Sequence, residues 1–113
     1  PNIHIQDLTD VFLFFIKKGN KIPTGNYNAG FENISIINLA KKISRLTGAK
    51  IKRIKSNDPR SYRQDSTKLL KLGFKNNYNV DFAIKEIISA YSQNKKIENH
   101  SSYNVKWMKK LKI

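Results

Sequence analysis

Asp58, Arg60 and Tyr62 crowd into one short loop within "SNDPRSYRQDSTKLLKLGF", with Lys55 just ahead of them. The residue types are those that hold a nucleotide. A carboxylate such as Asp58 accepts hydrogen bonds from ribose hydroxyls. The planar fork of Arg60 suits phosphate oxygens. Tyr62 can stack on a ring or hydrogen-bond a sugar hydroxyl. Pro59 removes a backbone donor and biases Asp58 toward an extended conformation, which fixes where its carboxylate points. A plainer reading accounts for the same residues. Charge clusters usually form solvated faces, and the stretch then serves as a capped junction between a loop and a short helix.

Other chemistry finds little support. The five glycines are scattered singly, so no glycine-rich dinucleotide fingerprint and no P-loop can be assembled. His4 and His100 are too few and too isolated for a metal site, and the chain has no cysteine. Asn33-Ile34-Ser35 and Asn99-His100-Ser101 fit the glycosylation sequon, but nothing indicates secretion. Reduced, cytoplasmic surroundings are the expected setting. The run "VFLFFI" is too short to span a bilayer and meets Lys17 and Lys18, so no membrane partner is expected.

Lys and Arg number 22 against 8 Asp and Glu, a net charge of +14. That balance raises nucleic acid as an alternative partner. Against it, the basic residues are spread along the chain and are mostly lysine. The abundance of Lys, Asn and Ile also fits an AT-rich coding sequence. No RNP-type aromatic pattern, zinc-finger spacing or arginine-rich arm is present.

The elements that would carry the loop read as α/β, with short strands separated by helices. The 113 residues allow one domain. Ile3 and Ile5 alternate in "NIHIQD" as in a short strand. Asp7 is then expected to cap a helix over 8–18, with Leu8, Val11, Phe12 and Phe15 on one face and Gly19 at its end. Phe14 and Ile16 add apolar surface beyond that face. "NYNAG" reads as a brief strand. Ser35 caps a second helix carrying Ile36, Leu39, Ala40, Ile43 and Leu46, stopped by Gly48. "AKIKRIK" reads as an exposed or edge strand whose charges discourage pairing. Asp65 or Ser66 caps a short helix with Leu69 and Leu70, Gly73 ends it, and Phe74 packs back on the core. A last amphipathic helix runs over 80–92, followed by a tail in which Trp107, Met108 and Leu111 are expected to dock.

Four stretches, "NIHIQDLTDVFLFFI", "GNYNAG", "SIINLAKKI" and "NDPRSYRQDSTKLLKLGF", occur in an order and spacing that resemble the C-terminal, substrate-binding part of the extended short-chain dehydrogenase/reductases. The specific likeness is to the NAD-dependent nucleotide-sugar epimerases and dehydratases. It covers nearly the whole chain, and "NVKWMKKLKI" resembles the ends of such proteins. The resemblance implies a single partial domain over 1–113 with a tail over 93–113. The 1–30 segment would pack against, or contribute to, an N-terminal Rossmann domain that binds NAD(P) outside this chain. Starting as it does at Pro1, the chain is expected to be a piece of a longer one.

The resemblance also implies roles. Asp58 stands where the family often carries a ribose-binding acid, ahead of a helix start that here reads "DSTK". Tyr62 matches a frequent aromatic of that loop. Lys55 stands where many members have arginine, and Arg60 compensates. His4 and Asp7 match recurrent residues and are read as structural. The family's catalytic Tyr-x-x-x-Lys should lie upstream, so the same spacing in Tyr91 and Lys95 is read as coincidence. The implied substrate is a nucleotide-sugar, the segment alone is expected to be inactive, and a homodimer burying Phe12, Phe14 or Phe15 is expected.

Overall fold

The structure is a computed structural model and describes residues 1–55, 57, 60–93 and 102–111. It corrects the α/β expectation. The described residues form five α-helices and no sheet; their one β pairing is an isolated antiparallel bridge between Asn2 and Glu32. The helices are α1 (Ile5–Lys18), α2 (Ile36–Thr47), α3 (Thr67–Lys71), α4 (Val80–Ser92) and α5 (Asn104–Leu111). A short 3-10 turn, Gly19–Lys21, follows α1.

The physical reason is a lack of strand partners. "AKIKRIK" alternates imperfectly and lies fully exposed, with Ile54 at 80% exposure. A strand needs a neighbour to receive its N–H and C=O groups. "NYNAG" likewise forms no strand, because side chains rather than a ladder meet its backbone: the Ser66 hydroxyl both accepts from the Gly30 N–H and donates to the Gly30 carbonyl. At the start of the chain only Asn2 pairs, and α1 takes over at Ile5.

The start of α1 is also corrected. His4, not Asp7, is the N-cap: its Nδ1 accepts from the Gln6 N–H at 3.2 Å. Because Nδ1 accepts, the ring proton sits on Nε2 and donates to Glu86, 2.9 Å away. The ring stacks on Tyr78 and meets Phe82 edge-on. Asp7 is fully buried and accepts from the backbone N–H groups of Asn77 and Tyr78, at 2.9 and 3.1 Å. It joins the first turn of α1 to the entry of α4.

That entry is held by side chains throughout. Glu32 accepts from the Val80 N–H at 2.8 Å, and Asn79 caps α4 through the Phe82 N–H at 2.9 Å. The free N–H groups of a helix start thus find acceptors. On α2, Ser35 accepts from the Asn38 N–H and Gly48 closes the helix at φ +72°, a left-handed conformation that favours glycine. Lys42 of α2 reaches both carboxylate oxygens of Asp81 on α4 at 2.7 Å.

The core is small. Val11, Leu69 and Phe74 are buried together, with Phe14, Phe15, Tyr27, Ala29 and Phe31 packed around them. Phe31 stacks on Phe74, and Phe14 meets it edge-on. Phe14 and Phe15 therefore serve the chain's own core. A different face of α1 stays uncovered: Ile5, Phe12, Leu13 and Ile16 recur at helical spacing and are between 43% and 74% exposed. Of the three phenylalanines expected at a contact between copies, Phe12 is the one on this face.

Candidate functional site

The loop before α3 is fastened at its far end. Asn33 makes two reciprocal bonds to the backbone of Gln64: its Oδ1 accepts from the Gln64 N–H at 3.0 Å, and its Nδ2 donates to the Gln64 carbonyl at 2.9 Å. Asn28 donates to the Asp65 carbonyl at 3.1 Å. Ser66 is buried on Gly30. Lys68 donates to the Asn26 carbonyl and lies over the Tyr27 ring, 4.3 Å from its centroid. Beyond these, Leu69 enters the core. Residues 64–68 are thus tied to 26–33 by side chains, and the chain just ahead of them inherits a fixed end.

The candidate ligand residues lie ahead of this fastening, at the surface. Tyr62 is 66% exposed, and Lys55, Arg60 and Arg63 are exposed too. Asp58, expected at the ribose, lies outside the described residues, as does Pro59. Neither described cavity includes Lys55, Arg60 or Tyr62 in its lining. One, of about 300 Å³, lies between α2 and α4 and is lined largely by aliphatic side chains such as Leu39, Ile43, Ile84 and Ile87. The other, of about 260 Å³, lies beside α1 and Phe74. Lys55, Arg60 and Tyr62 thus lie on an open surface rather than in a cavity.

Asp65 shapes the start of α3. Its Oδ1 accepts from both the hydroxyl and the N–H of Thr67. Ser66, at the N-cap position, makes no side-chain cap, because its hydroxyl is taken by Gly30. The Thr67 hydroxyl first, then the Thr67 N–H, hold the Asp65 carboxyl below its ordinary value, with Lys71 adding to the effect. A carboxyl lowered on folding stabilises the fold fully above about pH 4, its unfolded range. That contribution fades as pH falls through the lowered folded value. Thr67→Val removes the leading cause. The Asp65 titration, followed by carboxyl carbon NMR, is then expected to move up toward the ordinary range; an unmoved titration would count against this account.

Asn28 and Asn33 were not legible as site residues in the sequence. Their partners lie 31 to 37 residues away, and an asparagine bonded to distant backbone carries no local signature. The only signal at Asn33 was a sequon. Among the described residues no group of three or more His, Cys, Asp or Glu could hold a metal ion. No helix among them is long and apolar enough to cross a membrane. Comparison with protein-family models, curated proteins and solved structures finds no match for this chain.

Proposed function

We propose that this chain is the nucleotide-sugar-binding segment of an NAD-dependent epimerase or dehydratase. The observation that carries the reading is an exposed tyrosine beside exposed cations on a loop whose end is fastened. Tyr62 is 66% exposed, so its ring is accessible to a ligand. Arg60 and Lys55 would face the diphosphate, Tyr62 would line the nucleoside, and Asp58 would accept from the ribose. The resemblance in the four sequence stretches supports the same assignment.

In such an enzyme, NAD(P) bound by a separate N-terminal domain would supply the redox chemistry at the sugar. This segment would hold the non-reacting end so that the sugar meets the nicotinamide, which is where positioning lowers the barrier. The apolar face of α1 is the surface we assign to that domain. No nicotinamide reduction is expected from the 113 residues alone.

The test is calorimetric titration of the chain with a panel of nucleoside diphosphates and their sugar esters. Arg60→Ala is expected to weaken the preferred ligand roughly tenfold to a hundredfold, the range for a hydrogen bond to a charged group. Tyr62→Ala is expected to weaken it about tenfold, as for loss of one stacked ring. The alternative, a basic nucleic-acid-binding module, rests on the +14 charge. It predicts that polyuridylate binds more tightly than any sugar nucleotide, with affinity falling steeply as salt rises.

A further inference from the structure

We propose that α5 is an interfacial helix that lies on an anionic lipid surface. The helix has no acidic residue in its first turn and carries Lys106, Lys109 and Lys110. At 3.6 residues per turn these three lysines share one side, while Val105, Trp107, Met108 and Leu111 share the other. Val105, Met108 and Leu111 are 68%, 47% and 49% exposed, and Trp107 is half-buried. The ammonium of Lys110 sits 5.6 Å from the centre of the Trp107 ring, at the border between the two sides.

Charge decides among possible partners. An apolar face backed by cations fits a bilayer with anionic headgroups, where apolar area and charge attraction add. Tryptophan at the border of such a face matches its preference for the headgroup region. A nucleic acid would use the lysines but leave Val105, Met108 and Leu111 in water. A second copy of this chain carries the same +14 charge and opposes close approach. The helix is too short to cross a bilayer, so it would lie in the plane of the surface.

The chain contains one tryptophan, so its emission reports on α5 alone. The full chain is mixed with vesicles of phosphatidylcholine, and with vesicles of equal phosphatidylcholine and phosphatidylglycerol, at about 0.15 M salt, where long-range attraction is screened. The expected result is a shift of Trp107 emission to shorter wavelength with the anionic vesicles only. Lys106→Gln/Lys109→Gln/Lys110→Gln is expected to lower the partition coefficient roughly a hundredfold. Met108→Gln/Leu111→Gln is expected to abolish the shift; because all five substituted side chains are exposed, both variants should keep the fold, which circular dichroism checks. An equal shift with neutral vesicles, or binding without a shift, overturns the proposal. So does the same shift with polyuridylate, which would assign the helix to nucleic acid.

Discussion

Asp7→Ala is expected to cost about 3–5 kcal/mol of folding stability, the sum for two hydrogen bonds to a charged acceptor. Asp7 has no solvent exposure, and its two oxygens each take one backbone N–H, from Asn77 and Tyr78. Truncation leaves two part-buried N–H donors without their carboxylate acceptor. Small domains are stable by only about 5–15 kcal/mol, and this chain, with five buried hydrophobic residues among those described, belongs at the low end. Urea denaturation followed by circular dichroism should show the midpoint falling sharply or the native baseline vanishing. Asp7→Asn should recover only part of the loss, because the amide oxygen serves one N–H while its NH₂ faces the other. Asp10→Ala is the charge-matched control. Asp10 is bonded only to Gln6, one turn away at the surface, so its removal should cost under about 0.5 kcal/mol. Equal losses at Asp7 and Asp10 would show that net charge, not the buried clamp, governs stability.

Asp7 also shows where the sequence could be read and where it could not. The position of α1 was legible from apolar spacing and Gly19, and α2 from Ser35 and Gly48, because those signals act within a turn. The choice between His4 and Asp7 as cap was not legible. It depends on Asn77 and Tyr78, 70 residues on, which draw the carboxylate inward and leave the cap to His4. The strands failed for a related reason. Alternation in "AKIKRIK" reports that a segment suits a sheet, but pairing needs a partner, and the described residues supply none. At the site, the residue types in the loop were legible, and the exposure of Lys55, Arg60 and Arg63 is what the plainer reading of a solvated face expected. The fastening of that loop by Asn28, Asn33 and Gly30 was invisible, since it runs through side chains to distant backbone.

Leu69→Ala is expected to cost about 2–5 kcal/mol, the range for a buried leucine that leaves a cavity. Leu69 is fully buried, alone among the described hydrophobic residues. Its neighbours Val11 and Phe74 are held by α1 and by the ring stack on Phe31, so they have little freedom to close the gap. The position also couples the core to the ligand loop. Leu69 lies three residues past Ser66, and its N–H donates to the Ser66 carbonyl at 3.0 Å. Loosening it should loosen the Gly30–Ser66 fastening, and with it the end from which Tyr62 and Arg60 project. Two readouts separate these effects. Urea denaturation measures the global loss. Hydrogen exchange at Gln64, whose N–H bonds Asn33, measures the loop. Leu69→Ala should raise exchange at Gln64 as global stability falls, whereas Leu69→Met, close in volume, should cost under about 1.5 kcal/mol and leave that amide protected. If Leu69→Ala lowers stability while Gln64 stays as protected as in the parent chain, core and loop are independent. The fastening by Asn33 is then sufficient by itself to hold the residues assigned to the nucleotide.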